Sequence, residues 1–216
     1  MRRAYAKIFY QRILRDSSFL HSHPQFFIRN HDALAPFYLN INRTWYIIIL
    51  TKIGYSYERG ELQVNEKICC VTGHRDIPEK RIDYVKQALR HEILSALEDG
   101  YTRFISGFAE GVDLMFASIV AEEKRQHPEL FLEAAIPYAG KLKTKNQQFH
   151  ELLRACDGVK VECEKYVPSC FMQRNRYMVH QSQLVIAVYD GRDHGGTLFT
   201  MRCAHTLGKE VHLIKV

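Results

Sequence analysis

Residues 106–113 have the types and spacing of an anion-binding turn. The segment reads Ser-Gly-Phe-Ala-Glu-Gly-Val-Asp, with three residues between Gly107 and Gly111. A β-prone run over residues 101–105 precedes it, and apolar residues at helical spacing follow it from Val112. Backbone N–H groups at the start of such a helix carry partial positive charge, and glycine lets a ligand approach the backbone closely. The pattern predicts a seat for a phosphate or another anion.

Two further glycine turns follow apolar runs. Residues 72–75 read Thr-Gly-His-Arg, and residues 190–197 contain three glycines before Thr197. We expect Arg75 to clamp a phosphate, because a guanidinium group can donate two parallel hydrogen bonds. His74 has the chemistry of a general acid or base. Because the sequence shows no partner carboxylate for it, a structural role is expected instead.

Other polar side chains of these turns have two interpretations each. The hydroxyls of Ser106 and Thr197 could bond a phosphate oxygen, or could cap the helix that follows, which is worth about 1 kcal/mol. Asp113 could accept ligand hydroxyls, but we expect it to bind backbone N–H groups of its own loop. Glu110 is expected at the rim of the pocket.

A third group of polar residues begins a later helical pattern. Of Arg174 and Arg176, one is expected to face the pocket and the other to face water. Asn175 could contact the ligand or cross-link two loops through its amide, and the sequence leaves both roles open. The histidines show no metal-ligand spacing and no H-E-x-x-H motif, so no metal site is predicted.

Strand and helix patterns alternate cleanly after residue 64, which predicts a parallel sheet with helices on both faces. The expected fold is therefore α/β, a doubly wound and mostly parallel Rossmann-like sheet. Its strands are predicted at 67–72, 102–106, 131–136, 159–163, 184–189 and 210–214. Helices are predicted at about 79–97, 112–126, 145–156, 171–181 and 197–207. The three glycine turns then meet at one rim, because each follows the carboxyl end of a strand.

Charge and composition restrict the function classes. The net charge of the chain is +6, but residues 1–63 contribute +5 of it and residues 64–216 only +1. A nearly neutral domain suits a small ligand better than a nucleic acid. The six cysteines form no C-x-x-C pair, which indicates reduced thiols in a cytoplasmic protein. The longest apolar run, 45–50, is far shorter than the ~20 residues of a membrane span.

Residues 1–63 are predicted to be an irregular extension, because they show no sustained period and no glycine before Gly54. One hypothesis is that they are over-translated upstream sequence and that the native protein begins at Val64. Residues 58–61 can be encoded by a purine-rich run like a bacterial ribosome-binding site, and GTG is a usable start codon. The alternative is a genuine extension that is poorly ordered.

Four motifs in order resemble those of the YpsA family, a bacterial family within the SLOG superfamily of Rossmann-like domains. They lie at 72–75, 106–113, 174–178 and 195–200, and the resemblance covers roughly residues 66–216. The superfamily also includes DNA-processing protein A and the LOG phosphoribohydrolases. The resemblance implies a pocket for a nucleotide-like ligand of the ADP-ribose or nucleoside phosphate class. The ligand-binding residues expected are Thr72, Gly73, His74, Arg75, Ser106, Gly107, Ala109, Glu110, Gly111, Asp113, Arg174, Asn175, Gly195, Gly196 and Thr197.

The leading functional hypothesis is therefore a cytoplasmic nucleotide-binding or sensing domain, which the resemblance links to stress or cell division. One alternative is cleavage of an N-glycosidic bond, as in LOG relatives, whose P-G-G-x-G-T-x-x-E pattern supplies a catalytic Glu. The helix here reads Thr197-Leu198-Phe199-Thr200-Met201 and has no carboxylate, so no catalytic residue is assigned. Another alternative is single-stranded DNA binding, which the charge balance disfavours. A protein partner and a homo-oligomer both remain open.

Overall fold

The computed structural model describes residues 55–58, 61–64 and 66–216. Contacts divide the chain into two units, Met1–Asn65 and Glu66–Val216. In the first, β1 (Tyr55–Glu58) and β2 (Glu61–Val64) pair as an antiparallel hairpin that the sequence pattern did not indicate. The rest of the extension predicted over residues 1–63 lies outside the described residues.

The second unit is a six-stranded, all-parallel sheet with helices on both faces, which confirms the predicted fold class. The strand order is β6-β5-β4-β3-β7-β8. The strands are β3 (Lys67–Gly73), β4 (Tyr101–Ser106), β5 (Phe131–Tyr138), β6 (Gly158–Cys163), β7 (Leu184–Tyr189) and β8 (Glu210–Lys215). The helices are α1 (Ile82–Glu98), α2 (Val112–Glu123), α3 (Gln147–Ala155), α4 (Cys170–Gln181) and α5 (Gly196–Thr206), with 3-10 turns at Glu79–Arg81 and Ala139–Lys143.

The alternation of side chains along each strand divides the core into two layers. In β3, Cys69 and Val71 pack with α1, α2 and α3, whereas Ile68 and Cys70 pack with α4 and α5. Every strand residue from Ile68 to Val71 is therefore buried, as expected for a parallel sheet covered on both faces. Burial raises the pKa of the Cys70 thiol to about 12, so this cysteine packs as a small apolar residue.

The strand order places a crevice beside β3. From β3 the chain moves outward through β4, β5 and β6, then returns to the other side of β3 as β7. The loops that leave β3 and β7 therefore separate in opposite directions, which opens a space at the carboxyl ends of these two strands. In the described part of the chain, no helix has the length and apolar character needed to cross a membrane.

Candidate functional site

A cavity of about 350 Å³ occupies this crevice. Its size lies within the ~300–1,000 Å³ typical of small-molecule sites. Its wall is formed by the loops after β3 and β7, by the turn before α2 and by the first turns of α4 and α5. The lining residues are Val71, Thr72, Gly73, His74, Arg75, Asp76, Ala109, Asp113, Phe171, Arg174, Asn175, Met178, Arg192, His194, Gly195, Gly196, Thr197 and Thr200.

The structure brings most of the predicted site residues together. Eleven of the fifteen line the cavity, and all three glycine turns contribute to them. Gly107 and Glu110 instead line a smaller adjoining pocket of about 50 Å³, which we call the annex. Ser106 and Gly111 line neither space.

The turn over residues 106–113 is held by its own side chains. The Ser106 hydroxyl donates to the backbone carbonyl of Asp113 at 2.7 Å and accepts from the backbone N–H of Phe108 at 3.3 Å. One carboxylate oxygen of Asp113 accepts from the Ala109 N–H at 3.2 Å. Of the two roles left open for Ser106, the structure shows neither: its hydroxyl ties the turn together. Asp113 binds its own loop as expected.

The start of α2 is occupied by protein groups rather than open to a ligand. The Val112 N–H donates to the His74 carbonyl at 3.3 Å, and the Leu114 N–H donates to the Ala109 carbonyl at 3.2 Å. Gly111 permits this packing, because its φ is +80° and an added Cβ would lie 2.6 Å from the carbonyl oxygens of His74 and Arg75. Gly111, which the sequence pattern placed in an anion-binding turn, therefore lets two loops approach each other.

The start of α5 is different, because its N–H groups remain free. Gly195 adopts a φ of +102° and no side chain caps the helix. The first backbone hydrogen bond of the helix runs from Phe199 to the Gly195 carbonyl at 3.1 Å. Within the described chain, the N–H groups of Gly196, Thr197 and Leu198 have no acceptor. Since Gly195, Gly196 and Thr197 all line the cavity, these donors and the helix dipole favour an anion there.

Arg174 and Asp113 form a buried ion pair between the cavity and the annex. Arg174 Nη1 lies 3.2 Å from Asp113 Oδ2, and each side chain is less than a tenth exposed. Burial raises the pKa of Asp113 and lowers that of Arg174, and the attraction between them opposes both changes. Arg174 Nε is buried and has no hydrogen-bond partner among the described residues.

Gly107 makes room for this pair. A Cβ at that position would lie 1.3 Å from Arg174 Nη1 and 2.6 Å from Asp113 Oδ2. Such distances exclude any side chain while Arg174 keeps its place. The glycine is needed because a guanidinium group passes directly over the backbone, not because of its backbone angles, since Gly107 is absent from the glycines with positive φ.

The family model of YpsA, described as the YspA SLOG family, matches residues 69–214. The chain belongs to the YpsA family. Among curated relatives, a UPF0398 protein of Ligilactobacillus salivarius is 30% identical over 142 residues, covering 60% of this chain and 78% of its own length. A UPF0398 protein of Bacillus thuringiensis is 26% identical over 156 residues, covering 66% and 85%.

The solved structures that align with this chain are less similar to it in sequence than these curated relatives. DNA processing protein A from Helicobacter pylori, described as having a single-stranded DNA binding mode, aligns with a TM-score of 0.49 and 19% identity. The alignment covers 68% of this chain and 64% of that one. The protein TM1055 aligns with a TM-score of 0.44 and 16% identity.

Within this YpsA domain, a charged network that the sequence did not reveal joins the loops after β3 and β7. His74 Nε2 lies 3.0 Å from Asp190 Oδ1, and the His74 ring stacks on Tyr189 with centroids 5.7 Å apart. Arg192 donates to Asp190 at 2.9 Å and to Asp76 at 3.2 Å. Burial lowers the pKa of His74 despite the nearby Asp190 carboxylate, and Arg192 lowers the pKa of Asp190 to about 2.

This network supplies the carboxylate partner for His74 that the sequence does not show. Asp190 is 116 residues away in the sequence, and the pairing exists only because β7 lies directly beside β3. The sequence signal that could have indicated this pairing is position, since both residues follow the carboxyl end of an apolar strand. His74 is buried in the cavity wall, and its ring is held from two sides.

The remaining predicted residues divide between cavity and scaffold. Asn175 takes the structural role, because its amide donates to the Thr200 hydroxyl at 2.9 Å and so joins α4 to α5. Arg174 is buried and faces the site, whereas Arg176 is exposed and lies 5.5 Å from the Phe199 ring centroid. This is the division expected for the two arginines.

Arg75 is exposed at the mouth of the cavity. Its guanidinium lies 5.8 Å from the centroid of the Phe171 ring, and both residues line the cavity and the annex. Among the described residues, no carboxylate lies within ion-pair distance of Arg75. Phe171 was missing from the predicted site, because an aromatic at the start of a helix more often packs in the core.

Proposed function

We propose that this domain binds a nucleotide or nucleotide derivative in the cavity, with a phosphate group at the start of α5. The observation that carries the proposal is the set of three free N–H groups at residues 196–198. Gly196 and Thr197 line a cavity whose wall also holds Arg75, a cation with no described carboxylate partner. Backbone donors and a guanidinium group together are the usual recognition elements for phosphate.

The chemistry of the cavity wall favours binding over N-glycosidic cleavage. Cleavage needs a carboxylate that can stabilise positive charge at the anomeric carbon. The two carboxylates that line the cavity are both engaged, Asp113 by Arg174 and Asp76 by Arg192. The LOG pattern has its Glu three residues after the threonine, and Thr200 stands at that position here, bonded to Asn175.

A substitution at Gly196 tests the phosphate position directly. An added Cβ would approach nothing closer than Asn175 Nδ2 at 3.6 Å, and the φ of Gly196 is not positive, so Gly196→Asp fits without strain. A carboxylate at a helix start is also favourable for folding. It would repel a phosphate about 6 Å away by about 3 kcal/mol at an effective dielectric constant of ~20. The expected loss of affinity is about 100-fold.

Gly196→Asn is the matched control, because asparagine has the same shape without the charge. Calorimetric titration of the full chain with AMP and ADP-ribose, at fixed ionic strength, compares the two variants with the parent. The proposal expects binding to the parent, nearly complete loss in Gly196→Asp and a smaller loss in Gly196→Asn. Equal affinity in Gly196→Asp and Gly196→Asn would show that no phosphate lies at α5. No binding of either nucleotide to the parent would refute the proposed function.

A further inference from the structure

The annex beside the cavity has the features of a second anion site. It holds about 50 Å³ and is lined by Arg75, Gly107, Phe108, Ala109, Glu110, Pro137, Lys141, Phe171 and Arg174. A water molecule needs only about 10–15 Å³ by the same measure. The annex therefore has room for a group the size of a phosphate or carboxylate, but not for a second nucleoside.

Positive charge dominates the annex wall. Arg75, Lys141 and Arg174 contribute three cations, against the single exposed carboxylate of Glu110. In the described part of the chain, neither Arg75 nor Lys141 has a carboxylate within 4 Å, so their charges are available to a ligand. Arg174 is more than nine-tenths buried, and its Nε has no hydrogen-bond partner among the residues that the structure describes. A buried donor without an acceptor is costly, which favours an acceptor arriving with the ligand.

The cavity and the annex adjoin through a shared wall. Arg75, Ala109, Phe171 and Arg174 line both spaces. The shared part includes the Arg75–Phe171 contact, in which an exposed and flexible arginine side chain rests on an aromatic ring. Because Arg75 lines both spaces and is exposed, its side chain can contact a ligand that occupies either of them.

We infer that the ligand of this site is a nucleotide with two separate anionic groups, one at the start of α5 and the other in the annex. This inference rests on the proposed function and narrows its ligand class. The annex supplies Lys141 and Arg174 to the second group, and Arg75 lies between the two. A mononucleotide with a single phosphate would occupy the cavity and leave Lys141 and the Arg174 Nε without an acceptor from the ligand.

Lys141 and Lys143 offer a matched pair for the test. Both lie in the 3-10 turn Ala139–Lys143, but only Lys141 lines the annex, and Lys143 is exposed. The full chain is titrated by calorimetry with 5′-AMP, adenosine 2′,5′-bisphosphate and adenosine 3′,5′-bisphosphate. We expect at least one bisphosphate to bind about ten-fold more tightly than AMP. Lys141→Ala should remove that advantage and leave the affinity for AMP unchanged, whereas Lys143→Ala should preserve it.

The outcomes separate this inference from the proposed function. Equal affinity for AMP and both bisphosphates would overturn the two-group ligand while the nucleotide site stands. A bisphosphate advantage that survives in Lys141→Ala would overturn the annex as the second position. Gly196→Asp should weaken AMP and the bisphosphates alike, because both use the start of α5. If no nucleotide binds the parent, the proposed function fails and this inference fails with it.

Discussion

Replacing Gly107 with alanine should destabilise the protein by displacing the buried ion pair above it. The new methyl carbon would lie 1.3 Å from Arg174 Nη1 and 2.4 Å from its Cζ atom. Carbon and nitrogen atoms that are not bonded rest at about 3.5 Å or more. Arg174 must therefore leave its place, and Asp113 then loses its only described cationic partner.

The size of the effect follows from the burial of the pair. Removing one partner of a buried ion pair typically costs about 3–5 kcal/mol, because the other charge stays buried and uncompensated. Here Asp113 keeps the Ala109 N–H as a donor, which softens the loss. We therefore expect Gly107→Ala to lower the free energy of unfolding by about 3 kcal/mol, out of the ~5–15 kcal/mol typical of a domain.

Urea unfolding measures this energy in a cycle of four proteins. Gly107→Ala is compared with Gly107 first in the parent and then in a second background. The second background is Asp113→Ala with Arg174→Leu, which removes both charges and the three atoms that would meet the methyl group. In that background Gly107→Ala should cost less than about 1 kcal/mol, so the coupling energy is about 2 kcal/mol. Gly196→Ala serves as the control for a glycine with room for a methyl group. If Gly107→Ala costs the same in both backgrounds, the reasoning is wrong.

Four further predictions concern the cavity and the loops around it. Arg75→Ala should weaken nucleotide binding about ten-fold in a calorimetric titration. Arg81→Ala is the control and should leave the affinity unchanged, because Arg81 is an exposed arginine that does not line the cavity. Asp190→Asn should lower the pKa of His74 further, because it removes a carboxylate that stabilises the imidazolium, and NMR titration would contradict this if the pKa rose or stayed fixed. Burial holds the pKa of His74 in the folded protein below its unfolded value. The unfolded chain therefore binds a proton first, and the free energy of unfolding should fall as the pH drops below about 6.5. Urea unfolding at several pH values measures this. Gly111→Ala should prevent stable folding, since the methyl would meet two backbone carbonyl oxygens; a thermal melt like that of the parent would refute this.

The fold was predictable because its signals are local. Runs such as 184–189 are apolar throughout, which is typical of a strand buried on both faces, and each is followed by a turn and a helical period. The helix limits differed by a few residues: α2 ends at Glu123 instead of about residue 126. The hairpin of β1 and β2 was missed, because each strand has only four residues, which is too short for its alternation of larger and polar side chains to stand out.

The candidate site was predictable only in outline. Position at strand ends is enough to bring His74, Arg75 and Thr197 to one cavity, because parallel strands end at one edge. The pairing of Asp113 with Arg174 joins residues 61 apart, and that of His74 with Asp190 joins residues 116 apart. No local pattern encodes such pairs, since they depend on which loops the topology brings together.

The dependence on topology also explains why the motif at residues 106–113 does not mark the helix start that is most open to an anion. Strand, glycine turn and helix occur both at Gly111 before α2 and at Gly195 before α5, and the local sequence pattern does not distinguish the two turns. At α2, the carbonyl oxygens of His74 and Ala109 reach the helix start and accept its N–H groups. At α5, nothing in the described chain does so.

The first motif therefore acts on the ligand indirectly. Its glycines allow two loops and a guanidinium group to pack closely, and its aspartate holds that guanidinium at the boundary between cavity and annex. The role expected for Gly107 was to let a ligand approach the backbone, whereas in the structure this glycine makes room for Arg174. Substitutions at Gly107 and Gly196 should thus affect different properties. The first should lower stability and, through Arg174, binding in the annex, whereas Gly196→Asp should weaken phosphate binding about 100-fold while the fold is kept.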